Sequence, residues 1–291
     1  MTVSPRPRRS ALYLPGSNAR ALEKARTLDA DVIIIDLEDA VAPDVKDEAR
    51  RLAVEAVRAG GFGRREVVIR INALDTPWGQ ADLAAVAQAG PDAILAPKLA
   101  GAADVRRYSE FLASAPPHTM LWGMIETTRA LFSLAEIAAT SATTRLGVWV
   151  IGTNDLAKEM RCRLTADRAP LWAPLSLAVA AARSGGLSIL DGVYNDLDDD
   201  EGFLAACAQG VAFGFDGKTL IHPRQIDPCN AAFSPSESEI AEARDIIAAF
   251  DQPENRGLGV IRLYGKMVER LHLAAALSLV AQADALATAE T

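Results

Sequence analysis

Apolar side chains gather in this chain into short, almost unbroken runs. They lie at Ala11–Leu14, Val32–Leu37, Val67–Ile71, Ala93–Ala96, Met120–Ile125, Leu146–Ile151, Leu187–Val193 and Val211–Phe215. A strand with one wet face would alternate apolar and polar residues, whereas runs rich in Val and Ile fit strands covered on both faces. Between them, Arg20–Leu28, Val45–Ala59, Ala81–Ala89, Val105–Ala113 and Arg129–Ala139 carry Ala, Leu and charged residues at helical spacing. Asp44 ahead of Asp47 and Glu48, and Ser234-Pro235-Ser236-Glu237, add helix-start signals. Alternating strands and helices imply parallel pairing. Eight such units over about 230 residues predict an α/β fold, a (β/α)8 TIM barrel, which typically takes ~250 residues. An open doubly wound sheet is the alternative, disfavoured because no G-x-G-x-x-G follows an early strand.

The barrel is expected over residues 1–250, with a short disordered basic tail over 1–9. Asp251 to Gly257 reads as a linker, followed by strand-like Val260–Tyr264, a bend at Gly265 and a final amphipathic helix to about Ala287. Residues 251–291 thus form a C-terminal lid or oligomerisation arm. The 291 residues carry 30 basic and 38 acidic side chains, a net charge of −8, which leaves no general electrostatic footprint for nucleic acid. Half of the residues are hydrophobic, so a large core can form. The apolar runs fall far short of the roughly 20 residues of a membrane span. Ala11–Leu14 stops at Pro15-Gly16, too short for a secretory signal. Cys162, Cys207 and Cys229 lack metal-type spacing and read as reduced thiols of a cytoplasmic protein.

In such a barrel, reactive groups belong at the C-terminal ends of strands. There the sequence places Gly16, Asp36 to Asp39, Arg70 and Asn72, Lys98, Glu126, Asn154-Asp155, Asp191 and Lys218. Glu38, Asp39, Glu126, Asp155 and Asp191 would converge on one rim, and so many carboxylates repel unless a cation sits among them. All-oxygen donors and scattered histidines favour Mg²⁺, or Mn²⁺, over zinc, and Mg²⁺ needs only one or two protein carboxylates. Arg70 inside an apolar strand requires a carboxylate partner or an anionic ligand. Bland roles compete: helix capping for Asp36 or Asp39, a first-turn acid for Glu126, an ordinary turn for Asn154-Asp155, snorkelling for Lys98, a structural hydrogen bond for His222.

Several ordered stretches carry a resemblance: Arg9 to Gly16, Asp36 to Val41 with Lys46 and Glu48-Ala49-Arg50, Arg70-Ile71-Asn72, Pro97-Lys98 and Ile125-Glu126-Thr127. Further along come Gly217-Lys218, Ile221-His222-Pro223, Phe233-Ser234-Pro235 and Gly265-Lys266-Met267. The chain resembles the citrate lyase β-subunit-like branch of the HpcH/HpaI aldolase superfamily, with its malyl-CoA, citramalyl-CoA and citryl lyases. The resemblance implies a Mg²⁺-dependent carbon–carbon lyase that splits a 3-hydroxyacyl thioester into a 2-oxo acid and an acyl-CoA. By the same resemblance Glu126 and Asp155 are the metal ligands. Arg70 holds the 2-oxo acid, with Lys98 and Asn72 as further substrate contacts, and Glu38 and Asp39 form the acidic pair beside it. An acid from the C-terminal arm completes the site, and here Glu269 stands where relatives carry Asp. A homo-oligomer, trimer or hexamer, is implied as well.

Three other outcomes fit the same scaffold: a malyl-CoA thioesterase, a malate-synthase-like enzyme, or a citrate lyase subunit that acts on an acyl-carrier protein. Schiff-base chemistry on Lys98 is disfavoured by the surrounding carboxylates.

Overall fold

The computed structural model describes residues 6–289. Eight strands run parallel in chain order: β1 (Ser10–Pro15), β2 (Val32–Asp36), β3 (Glu66–Arg70), β4 (Ala93–Ala96), β5 (Met120–Ile125), β6 (Leu146–Ile151), β7 (Ser188–Asp191) and β8 (Gly217–Leu220). β8 pairs with β1 from Ser10 opposite Lys218 to Leu12 opposite Leu220, so the sheet closes into the expected TIM barrel. The unbroken apolar runs now have a cause. On β1, Ala11 and Tyr13 turn into the barrel while Leu12 and Leu14 pack outward under the helices; on β2, Ile34 faces in and Ile33 and Ile35 face out. Both faces are dry, and each fully buried Leu or Ile contributes ~1.5–3 kcal/mol. The covering helix Lys46–Ala59 buries Ala49, Ala53 and Ala56, a stripe of helical period.

Several expectations need correction. Val211–Phe215 is no strand: Val211 to Phe213 end the helix Asp200–Phe213, and Gly214 closes it with a left-handed φ of 90°. The true β8 carries Lys218 and Thr219, both buried, and so breaks the apolar pattern that marks the other strands. Arg129–Ala139 is two short helices, Thr128–Leu131 and Leu134–Ala139. The tail expected to be disordered is anchored at its end. Arg8 Nε donates to Glu66 Oε2 at 2.6 Å, and Arg9 Nε and Nη2 donate to the Asp31 carboxylate at 2.9 Å each. Residues 1–5 of that tail lie outside the described residues.

The chain divides into two compact units, the barrel Arg8–Phe233 and a second that takes the chain from Ser234 onward. In the second, helix Glu237–Asp251 is capped by Ser236, two residues beyond the Ser234 start read from the sequence. Ser236 Oγ accepts from Glu239 N at 3.2 Å and Glu239 Oε2 accepts from Ser236 N at 2.8 Å. β9 (Val260–Leu263) and β10 (Lys266–Glu269) form an antiparallel hairpin. Tyr264 and Gly265 turn it with φ of 51° and 79°, so Gly265 makes a tight hairpin turn and Lys266 to Glu269 are a strand. Phe250, Ile261 and Val268 form its small core. The last helix, Arg270–Ala289, packs on Glu237–Asp251. By length and composition alone, its stretch Arg270–Thr288 is long and apolar enough to cross a bilayer. Run length hid this, because His272, Gln282 and Asp284 interrupt the apolar positions.

Candidate functional site

The carboxyl ends of β1, β2, β3, β5 and β6 enclose a cavity of about 310 Å³ walled by Tyr13, Asp36, Asp39, Arg70, Glu126, Asp155 and their neighbours. Parallel register sets Asp36 opposite Arg70. Arg70 Nε and Nη2 donate to Asp36 Oδ1 and Oδ2 at 2.7 and 2.6 Å, a two-pronged pair buried in the barrel mouth. The buried guanidinium therefore has a carboxylate partner. Its third nitrogen, Nη1, is left for the cavity. It sits 3.0 Å from Glu38 Oε2, an ion-pair contact without hydrogen-bond alignment, and donates to Asp39 Oδ2 at 3.4 Å. Asp36 also accepts from Glu38 N at 2.8 Å and Ala40 N at 3.0 Å, so the same carboxylate folds the loop that carries Glu38 and Asp39.

That loop is fastened from behind. Lys46 Nζ donates to the carbonyls of Leu37 and Glu38 at 2.9 Å each. Asn72 Nδ2 donates to Leu37 O at 2.8 Å and Asp82 Oδ2 at 2.6 Å. Asn72, expected as a substrate contact, is buried outside the cavity lining, and its amide nitrogen braces the loop.

Lys98 adopts a left-handed φ of 51°, a conformation that costs a non-glycine residue ~1–2 kcal/mol. The strain places its backbone N–H 2.8 Å from Glu126 Oε1, while its Nζ donates to Glu38 Oε1 at 2.8 Å. Glu126 is 1% exposed, and its second oxygen lies so near Gly152 that any side chain there would collide with it. Burial, and then the charge of Glu38, push the Glu126 carboxyl up to about 8. Burial likewise raises Glu38, against the pull of Arg70 and Lys98. Asp155 stands half-buried in the first turn of the helix Thr153–Met160 and adds its negative charge to Glu126.

Among the described residues no group of three or more His, Cys, Asp or Glu forms a ready metal cage. The donor set nevertheless fits a hard divalent cation. Glu126 and Asp155 both line the cavity, and among the described residues the buried Glu126 accepts a backbone N–H and forms no ion pair. Mg²⁺ commonly completes such a pair with water and substrate oxygens.

Asp191 does not join this group. Arg168 Nη1 donates to both of its oxygens at 2.8 Å and Lys218 Nζ donates to Oδ2 at 2.8 Å. Burial would raise its carboxyl, but Lys218 and Arg168 hold it below the ordinary range. The rim therefore holds four of the five expected carboxylates, and the fifth is neutralised inside β7. Asn154 pairs with Asn195 through both amides, at 3.1 and 2.8 Å. His222 Nδ1 accepts from Arg224 N at 3.2 Å, the structural role expected. Glu269 belongs to the second unit, where it lies in β10 and its N–H donates to His272 Nδ1 at 2.9 Å. Sequence reasoning missed Asp36 as the partner of Arg70 and gave Tyr13 no role.

Residues 9–223 match the family model described as HpcH/HpaI aldolase/citrate lyase. The chain is 51% identical to a (3S)-malyl-CoA thioesterase of Cereibacter sphaeroides, over 97% of this chain and 96% of that one. It is 35% identical to an L-malyl-CoA/β-methylmalyl-CoA lyase of the same species, over 96% and 95% of the two chains. Among solved structures, the CitE protein of Mycobacterium tuberculosis in complex with magnesium, acetoacetate and coenzyme A aligns with a TM-score of 0.76 and 28% identity, covering 94% of this chain and 97% of that one.

Proposed function

The chain belongs to the HpcH/HpaI aldolase/citrate lyase family, and from that premise we propose that it hydrolyses a malyl-CoA-type thioester with Mg²⁺. The observation that carries the choice is the 51% identity to a malyl-CoA thioesterase across almost the whole of both chains, against 35% to a malyl-CoA lyase. This shifts the reading from carbon–carbon cleavage, which the resemblance put first, to the hydrolytic outcome on the same scaffold.

Glu126 and Asp155 would hold the cation, which when bound supplies Lewis-acid polarisation of a substrate oxygen. Arg70 offers Nη1 to the substrate carboxylate while Asp36 keeps the guanidinium plane fixed. Lys98 Nζ, held at Glu38 Oε1, adds a positive charge at the entrance. Glu38, its carboxyl raised by burial, holds a proton more readily than an exposed glutamate, with Asp39 beside it. Hydrolysis forms a bond from water oxygen to the thioester carbon, breaks the carbon–sulfur bond and returns a proton to the leaving thiolate. Glu269 remains our candidate for the acid supplied by the C-terminal unit. Tyr264, Met267, Leu271 and Leu277 on that unit are exposed and apolar, which supports a homo-oligomer, and we place the enzyme in the cytoplasm with CoA esters rather than an acyl-carrier protein as substrates.

The test is to follow thiol and 2-oxo acid separately with (3S)-malyl-CoA and Mg²⁺. Thiol release without glyoxylate is expected; glyoxylate with an intact acetyl thioester would return the enzyme to the lyases.

A further inference from the structure

Tyr13 sits on the inward face of β1, in the top interior layer of the barrel, and forms part of the cavity wall. Its hydroxyl is buried and has no hydrogen-bond partner among the described residues. The Arg70 guanidinium lies over its ring, 4.9 Å from the centroid. Trp122 and Trp149 also bury unpartnered N–H groups, but neither lines the cavity. A phenol buried without a partner keeps the full desolvation cost of its hydroxyl in the ligand-free protein, and phenylalanine would fill the same space without that cost. A binding site tolerates such a group where a ligand supplies the missing acceptor, and a site built that way rejects ligands that lack it. Burial pushes the phenol well above its ordinary range, so it stays a donor throughout the physiological pH range. The carboxylates of Asp36, Glu38 and Glu126 all act on it electrostatically, yet none accepts its proton.

We propose that the Tyr13 hydroxyl is a ligand-contacting donor, aimed at an oxygen of the hydroxy- or oxo-carboxylate end of the substrate that Arg70 holds. The proposal rests on the functional reading above. Arg70 ties the two together, since the cation stacked on the ring is also the group that would take the carboxylate.

Tyr13→Phe keeps the ring under Arg70 and removes only the hydroxyl. Three quantities decide the matter: the melting temperature of the ligand-free protein, the affinity for L-malate with Mg²⁺ by calorimetry, and kcat/KM for thiol release from (3S)-malyl-CoA. The variant should melt at the parent temperature or slightly above it, bind malate roughly tenfold more weakly, and lose kcat/KM by a similar factor. If parent and variant share both malate affinity and kcat/KM, the assignment of Tyr13 is overturned while the functional reading stands. A variant that melts clearly below the parent also overturns it, because the hydroxyl would then be structural. A parent protein that releases no thiol overturns the functional reading itself.

Discussion

Arg70 divides one side chain between a fixed ion pair and the cavity. Two of its nitrogens are spent on Asp36, and the third reaches the cavity. Lysine offers a point charge and cannot bridge both Asp36 oxygens. Arg70→Lys should therefore lower kcat/KM roughly a hundredfold and reduce stability as well, because Asp36 loses a two-pronged partner. Steady-state kinetics and urea denaturation check the two effects together. Glu126→Gln separates them in the opposite sense. Glutamine keeps an oxygen for the Lys98 N–H and stays neutral, the state that burial favours for Glu126. At neutral pH the ligand-free variant should melt no lower than the parent, yet gain no stability from added Mg²⁺, as scanning calorimetry would show. A Mg²⁺-dependent rise in its melting temperature equal to the parent's would remove Glu126 from the ligand set. The sequence already demanded an anion for Arg70, but could not choose one. The choice of Asp36 follows from the parallel register of β2 and β3, which no single-strand pattern encodes.

At the scale of elements, seven of the eight strands were legible because both of their faces are dry, so the apolar run itself marks them. β8 was not. Its buried Lys218 and Thr219 read as polar loop, while the apolar end of the preceding helix imitated a strand. The lysine is there to neutralise Asp191 together with Arg168, a pairing between β7, β8 and the segment after Met160 that becomes visible only in three dimensions. Breaking it should be costly. Asp191→Asn leaves two buried cations short of their partner and should lose ~3–5 kcal/mol at neutral pH by urea denaturation. The carboxyl is held below its ordinary value, so its contribution is fully present above about 3.8 and is lost as pH falls through the folded value. The gap between variant and parent should therefore stay constant down to that pH and narrow only below it. A gap that already closes near neutral pH would contradict this assignment.

On the scale of the whole molecule, the barrel, the rim chemistry and the family all followed from ordered motifs, whereas the division between hydrolysis and carbon–carbon cleavage did not. In the proposed site both reactions would begin from the same thioester held by the same arginine and carboxylates, and they would part on whether water reaches the thioester carbon. Water access depends on how closing elements cover the mouth, and no motif writes that out. The outcome can be read from the atoms of the product. With (3S)-malyl-CoA and Mg²⁺ in water enriched in heavy oxygen, hydrolysis adds one labelled oxygen to the released malate carboxylate for every thiol freed, and chelating the metal stops both. Mass spectrometry of the products should show singly labelled malate in equal amount to free CoA. Glyoxylate and acetyl-CoA in place of labelled malate, or labelled malate formed undiminished after chelation, would contradict the account.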